Sequence, residues 1–501
     1  MPPSRAPAPS LAFRAFMAVA LTVTFYAFAI GLAVLLLLVP WFQWRESHHL
    51  SIRLALFCVI GGGAILWGVL PRFETFVPPG PRLTEKTQPR LFQILRSVAG
   101  DAGQEMPAEV YLVPDLNAGV LQRGGLLGFG GRRVMVLGLP LLSALRVTEF
   151  RGVLAHEFGH YLGGETRLGP WIYRTREAIG RTIRTLTEAD SLLRFVFQWY
   201  GNAFLLITHA ISRRQELAAD QLAAEVAGAP ALAGGLRRIH GADPAYRAFF
   251  EQEMAPVLSA GFRPPVADGF VKFLRSEPVS TAVEGIEQKM ARERKGDAYD
   301  THPPLGERLA ALGNPGAEEP GPGNPRAVSL LDGLDGLEKA LLRAMLPGMP
   351  EDIEPMAWEE AGAKVFLPAW REAVRKERDL LGATTAAGLA AALAPAPEAR
   401  RWQRLSKGAD DGERKPSKLA GIAGCALCLL LADRGWDLSC EPGAAISLTE
   451  GAVTVRPFTE VEDLAAGKTE SAAWEARVRA LGIADLRLDS AAGKEPPSSS
   501  R

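Results

Sequence analysis

From Ala15 to Val39 the chain carries no charged residue, and no other feature narrows its possible folds so far. Such a run can cross a bilayer as one helix, because the hydrocarbon core takes about 20 apolar residues. A cleavable export signal has a shorter apolar stretch and a small-residue cleavage site. This run ends instead at Pro40-Trp41-Phe42-Gln43-Trp44, an aromatic cluster suited to a membrane interface. A second apolar run, Leu54 to Leu70, contains Gly61-Gly62-Gly63 and reads as another spanning helix rather than as half of a buried core hairpin. Arg5 and Arg14 precede the first run, and Arg72, Arg82, Lys86 and Arg90 follow the second, while the loop between them has Arg45 and Arg53 accompanied by Glu46. This bias places both ends of the hairpin in the cytoplasm. Residues 1–75 are therefore expected to form two transmembrane helices, at about 15–39 and 54–70, with membrane lipid as a partner.

The chemistry is concentrated in His156-Glu157-Phe158-Gly159-His160. On a helix, side chains four residues apart share a face, so His156 and His160 can bind one metal ion. Glu157 is displaced around the helix and can act on a water held at that metal. Glu149-Phe150-Arg151-Gly152-Val153-Leu154-Ala155 leads in with apolar residues at helical spacing. With only 7 His in 501 residues, chance is a poor explanation of the pattern. Zinc in a hydrolase takes three protein ligands and an open fourth position. Ser212-Arg213-Arg214-Gln215-Glu216-Leu217-Ala218-Ala219-Asp220 offers a candidate third ligand, since Glu216 and Asp220 lie one helical turn apart. One of them can bind metal while the other holds a ligand in place.

These stretches, with Asn117-Ala118 and with Thr301-His302-Pro303-Pro304 and Glu307-Arg308-Leu309, resemble the M48 peptidases, a family of membrane-associated zinc metalloproteases. The resemblance covers roughly residues 75 to 315. It implies a gluzincin-type zincin domain in which His156, His160 and Glu216 bind one Zn2+ per subunit and Glu157 is the catalytic base. Asp220 is then the carboxylate that supports a ligand, His302 and Arg308 face the cleft, His302 is a candidate oxyanion stabiliser, and Asn117 is a candidate substrate-binding residue. Relatives with a membrane hairpin carry two further spanning segments between the two metal-binding stretches, whereas this chain has one marginal candidate, Leu192 to Ile211. Arg194, Gln198, Asn202 and His209 make its full insertion costly, so it is expected to pack on the protease or dip into the interface. Trp171 to Leu186, with Arg174, Arg176, Arg181 and Arg184, suits either an anionic membrane surface or a solvated helix face.

The rest of the chain fits a mainly helical α+β protein. Its length calls for two or three folded units, and a formal net charge of +0 removes any general electrostatic case for nucleic acid. Thr87 to Ala99 reads as an amphipathic helix and Glu109 to Val113 as a strand. The glycine-rich stretch from Arg123 to Gly131 lacks phosphate-loop spacing and reads as a hairpin connection. A strand near Arg133 to Leu137 is expected to lie at a sheet edge and hold substrate extended. Leu312 to Arg326, rich in Pro and Gly, reads as a linker (316–326) closing a metallopeptidase domain at 76–315 and opening an accessory α+β domain at 327–490. There, Lys407 to Lys418 reads as a charged loop, and Ile446 to Thr449 and Val453 to Val455 read as a hairpin. The tail from Ala491 is expected to be disordered. Cys425-Ala426-Leu427-Cys428 sits in the apolar run Leu419 to Ala432 with only Cys440 nearby, which suits buried free thiols rather than a metal or redox site. The sequence thus points to a membrane-anchored zinc metalloendopeptidase acting on protein or peptide substrates, its catalytic domain cytoplasmic. The competing reading is a membrane-tethered scaffold with an inactive protease-like domain; oligomeric state is open.

Overall fold

In the computed structural model, residues 11–70, 76–123, 132–160, 169–189, 191–293, 303–316, 321, 323–346, 348, 350, 353–393 and 414–493 are described. The protein is mainly helical with small sheets, and it divides into two compact units, Met1–Asp243 with Glu284–Pro347, and Pro244–Val283 with Gly348–Arg501.

The first unit begins with the two apolar runs, folded as α1 (Leu11–Ser47) and α2 (Ile52–Val69), both long and apolar enough to cross a membrane. α1 continues past Pro40 rather than stopping there. A proline inside a helix loses its own N–H bond and its ring crowds the carbonyl of residue i−4, yet the helix runs on, and beyond it the Arg45 guanidinium sits 5.3 Å from the Trp41 ring centre. Two later helices, α6 (Gly169–Glu188) and α7 (Arg194–Ala227), pack on this hairpin. Phe25, Ala29 and Ala33 of α1, Ile65 and Val69 of α2, Ala178, Ile179 and Leu186 of α6, and Phe197 and Phe204 of α7 share one core. The stretch Leu192 to Ile211 is thus the first half of a long helix whose second half carries Glu216 and Asp220.

Between α2 and α6 lies a four-stranded sheet in the order β1-β2-β4-β3, formed by β1 (Arg82–Leu83), β2 (Glu109–Val113), β3 (Ala118–Arg123) and β4 (Arg132–Gly138). β4 pairs in parallel with β2, Tyr111 opposite Val136, and antiparallel with β3, Arg123 opposite Arg132. The strands flanking the glycine-rich stretch therefore pair as the hairpin reading requires; residues 124–131 themselves lie outside the described residues. One expectation is corrected. β4, which contains Arg133 to Leu137, is interior, because β2 and β3 take both of its edges; the outer strands are β1 and β3. Four more helices complete the frame used below: α3 (Pro89–Asp101), α4 (Leu139–Ala144), α5 (Val147–Gly159) and α8 (Ala229–Phe249).

The Pro/Gly stretch does not separate the units. Arg237 donates to Pro315 O at 3.2 Å, Val147 N–H to Pro325 O at 2.9 Å, and Ala327 N–H to Leu145 O at 2.9 Å. The helix Leu334–Met345 also belongs to the first unit, with Gln88 Nε2 donating to Asp332 O just before it. Composition reported a lack of regular secondary structure there. Main-chain carbonyls of that irregular segment are used as acceptors all the same.

In the second unit, Trp358, Phe249, Phe270 and Phe273 pack together, and Trp358 Nε1 donates to Pro265 O at 2.8 Å. Gly269 is required beneath the indole, since a Cβ there would lie 2.3 Å from Trp358 Nε1. A second core surrounds the apolar helix Arg414–Ala432, with Trp370, Leu389, Leu448, Val461 and Trp474. That helix includes Arg414 to Lys418, which the sequence assigned to a loop. Ser447–Glu450 and Val453–Val455 pair antiparallel around Gly451, at φ 58°, as expected of the hairpin. Ala491, placed in the tail by its sequence, is buried in the core.

Candidate metal centre

α5 is anchored before it reaches its histidines. The first-turn N–H groups of a helix have no partner within it. Here Arg146 N–H donates to Glu149 Oε2 at 2.8 Å, and Thr148 N–H donates to Asn324 Oδ1 at 3.2 Å. Glu149 is buried, and Arg238 of α8 grips its carboxylate through Nε and Nη2 at 3.1–3.2 Å.

Two glycines then set how closely the neighbouring helices approach. A Cβ on Gly152 would lie 3.0 Å from Leu232 Cα of α8, and one on Gly159 would lie 2.8 Å from Ala219 Cα of α7. Ala219 stands between Glu216 and Asp220, so the contact at Gly159 brings both carboxylates against the histidines. His156 Nε2 is 3.5 Å from Glu216 Oε2, and His160 Nε2 is 3.7 Å from Glu216 Oε1. The Nδ1 of His156 faces away, 2.9 Å from Asp220 Oδ1. Behind it, Arg308, on the helix Leu305–Ala311, donates to Asp220 through Nε at 2.9 Å and Nη2 at 2.6 Å. The arrangement is almost sealed, with His156 5%, Glu216 6%, Asp220 1% and Arg308 5% exposed. His160 and Glu157 are half-buried, and one nitrogen or oxygen from each of His156, Glu157 and His160 lies within 4.8 Å of the others.

The electrostatics follow from burial opposed by pairing. Burial pulls His156 down, yet hydrogen bonds to Asp220 and Glu216 outweigh it and push the imidazole up to about 9. Burial alone would raise the Asp220 carboxyl, but hydrogen bonds from Arg308 and His156 hold it below the ordinary carboxylate value. Burial would likewise lower Arg308, and Asp220 raises it instead. The donor set fits a small divalent cation. Ligand atoms at about 2.0–2.1 Å in a tetrahedron stand roughly 3.4 Å apart, close to the 3.5 and 3.7 Å separating Glu216 from the two imidazoles. With the Nδ1 proton held by Asp220, a cation bound beside Glu216 would displace the other proton and use Nε2 as its ligand atom.

Of the residues singled out from the sequence, the structure brings together His156, Glu157, His160, Glu216, Asp220 and Arg308. Asn117 is exposed at the head of β3, where its carbonyl accepts from Gly138 N–H at 2.8 Å. His302 lies outside the described residues. Sequence reasoning passed over Gly159, Arg238 and Asn324. A glycine inside the metal motif is a signal for close helix contact, whereas the other two act only through distant tertiary pairing.

Residues 85–315 match the family model described as Peptidase family M48. The chain carries an M48 peptidase domain. It is 24% identical over 259 residues to a Protease HtpX homolog of Tropheryma whipplei (strain Twist), an alignment covering 48% of this chain and 77% of that protein. To a Protease HtpX homolog of Ralstonia nicotianae it is 26% identical over 236 residues, covering 40% and 79% respectively. To Protease HtpX of Pseudomonas entomophila it is 26% identical over 212 residues, covering 37% and 70%. No solved structure matches the chain. The M48 match and these relatives support a protease function, and the His156, Glu157 and His160 cluster in that domain could bind a metal.

Proposed function

We propose that the protein is a membrane-anchored, zinc-dependent endopeptidase whose metal is held by His156, His160 and Glu216. The observation that carries this is the placement of one Glu216 carboxylate against both imidazoles, with Asp220 and Arg308 fixing His156 from behind. A zinc ion bound there would supply Lewis acidity and lower the pKa of its water towards about 7. Glu157, beside the ligands but on a different face of α5, takes the proton from the attacking water and later delivers it to the leaving amine. Asp220 keeps the Nδ1 proton of His156 in place, and Arg308 keeps Asp220 ionised. β3, the longer of the two outer strands, is suited to hold an extended substrate by main-chain hydrogen bonds, with Asn117 at its head, which gives little dependence on substrate sequence.

The anchor in this reading is the α1–α2 hairpin, α2 alone being about 27 Å long. The excess of basic residues outside the hairpin loop puts the metal centre in the cytoplasm. Low sequence preference beside a bilayer suits the removal of damaged or unassembled membrane proteins. Metal analysis together with casein cleavage by the purified protein tests the proposal. One bound zinc and a casein activity abolished by Glu157→Gln are expected. A protein that binds zinc yet cuts casein equally well with Gln at 157 would overturn the assignment.

A further inference from the structure

The helix Leu305–Ala311, which supplies Arg308, is too short to hold its own place. Isolated helices below about 12–15 residues are marginal in water, so its 7 residues depend on what they dock against. Leu305 and Leu309, one turn apart, are buried. Gly306 lies against the end of the helix Glu277–Arg292, where a Cβ would stand 2.6 Å from Ala291 O and 2.5 Å from Glu293 O. These contacts set how closely the helix sits. They do not dictate its register, because apolar burial is not directional and a glycine has no side chain to engage.

Direction comes from charge. α7 presents Arg213, Glu216 and Asp220 at spacings of three and four, hence along one face. Arg308 takes Asp220, and its neighbour Glu307 takes Arg213, with Oε2 3.4 Å from Nη1. Two ion pairs of opposite polarity thus join the short helix to α7, at positions about 10 Å apart along it, one on each side of Glu216. Only one register satisfies both. A shift of one residue in one direction brings Glu307 towards Asp220, and in the other brings Arg308 towards Arg213; each sets like charges together.

We propose that Arg213 is a positioning residue for the metal centre. Through Glu307 it holds the short helix in the register that keeps Arg308 on Asp220, and so keeps Asp220 on His156. This rests on the zinc ligands proposed above. Stability is a poor account of the pair. Its side chains are 31% and 33% exposed, and ion pairs so open to water contribute little. The Nε of Arg213 is buried with no hydrogen-bond partner among the described residues, which costs stability rather than adding to it. What the pair supplies is the choice between registers.

The test titrates the full-length protein, stripped of metal, against a zinc chelator, with denaturant midpoints and the KM for an unfolded substrate measured beside it. Arg213→Gln and Glu307→Gln should each weaken zinc binding about three- to tenfold, less than the 10–100-fold expected for a group directly behind a histidine ligand. The double variant should lose no more than either single, because the same pair is removed in all three. Arg213→Lys should keep most of the affinity, since an ammonium can replace a single contact. Denaturant midpoints should stay together, which separates this effect from a general loss of stability. In the Arg308→Leu background, Arg213→Gln should weaken zinc no further, because its effect runs through Arg308. Additive losses there would overturn that route, and if that background does not fold, the cycle between Arg213 and Glu307 still decides. Wild-type zinc affinity in either Gln variant overturns the proposal; a raised KM alongside it assigns Arg213 to substrate instead. A wild type that binds no zinc overturns the ligand assignment and this one together, whereas zinc binding without these losses overturns this one alone.

Discussion

In the first unit, Asp220, Arg308 and Glu149 are buried and each is gripped by an opposite charge. In the second, Cys425, Cys428, Cys440 and Glu253 are sunk among apolar groups, and burial drives each towards its neutral form. The Cys425 thiol is pushed up to about 11 and Cys440 to about 12, Cys428 higher still. The candidate metal centre keeps its buried charges ionised by pairing, as Arg487 also does for buried Asp489 in the second unit, whereas these thiols and Glu253 are driven towards their neutral forms. Keeping a charge in a low-dielectric interior demands a partner at hydrogen-bond distance, and such pairing is strongly destabilising to break. At the candidate metal centre that cost is met three times over, by Asp220, Arg308 and Glu149. The thiols, by contrast, behave as small apolar groups filling a core.

The sharpest way to break this contrast is to remove the proposed proton acceptor and leave the pairing intact. Glu157→Gln should keep the metal and lower peptide cleavage by at least about 10²–10⁴-fold, read by turnover of an unfolded substrate beside metal content. Removing residues 348–501 should be nearly as severe, but through folding. Phe249, Phe270 and Phe273 stay behind without Trp358, which packs with Phe249 and bonds to Pro265. We expect that truncated chain to precipitate or to be digested rapidly by added trypsin. A soluble, zinc-binding truncation would show that Pro244–Val283 needs nothing from the rest of its unit.

Next in size is Arg308→Leu, which leaves Asp220 buried without its guanidinium. Loss of one partner from a buried pair costs about 3–5 kcal/mol, and loss of support behind a histidine ligand lowers metal affinity about 10–100-fold. Chemical denaturation and competition with a zinc chelator measure the two effects. Cys428→Ala in the second unit should leave metal affinity unchanged and cost less, about 1 kcal/mol for the small volume removed. Equal losses of metal affinity in the two variants would erase the distinction between the units.

How much of this was legible follows the range of the interactions. The pair His156 and His160, and the pair Glu216 and Asp220, are local to single helices, so spacing alone placed each on one face. Length and lack of charge marked α1 and α2, though not the continuation of α1 through Pro40. The Glu149–Arg238 pair and the Asn324 cap join residues 89 and 176 positions apart, and no periodicity reports such contacts. The position of β4 inside the sheet is likewise set by two partners, not by its own pattern. The Pro/Gly stretch misled because composition signals irregular backbone, while domain limits depend on what that backbone touches. Gly159 sits between the two cases: visible in the motif, but meaningful only beside Ala219. Gly159→Ala should cost about 1–3 kcal/mol by overpacking and weaken zinc binding by displacing Glu216, an effect that Gly152→Ala, against α8, should not share.

The smallest expected effect tests the second unit's side of the contrast. Glu253 is half-buried, accepts Gly443 N–H at 2.9 Å through Oε1, and has its pKa raised above 4.5, chiefly by burial, with the Gly443 bond opposing. A carboxyl whose folded pKa is raised favours the folded state fully below its unfolded pKa. That contribution is lost as pH rises through the folded value. Glu253→Gln keeps an acceptor for Gly443 and removes the titration. The variant should therefore gain stability relative to wild type on going from about pH 4 to pH 7, by no more than about 1 kcal/mol. Denaturant melts at the two pH values measure it. A variant that is instead destabilised at pH 7 would mean that the carboxylate is held there by an opposite charge, and Glu253 would then belong with the paired charges of the candidate metal centre rather than with the buried thiols.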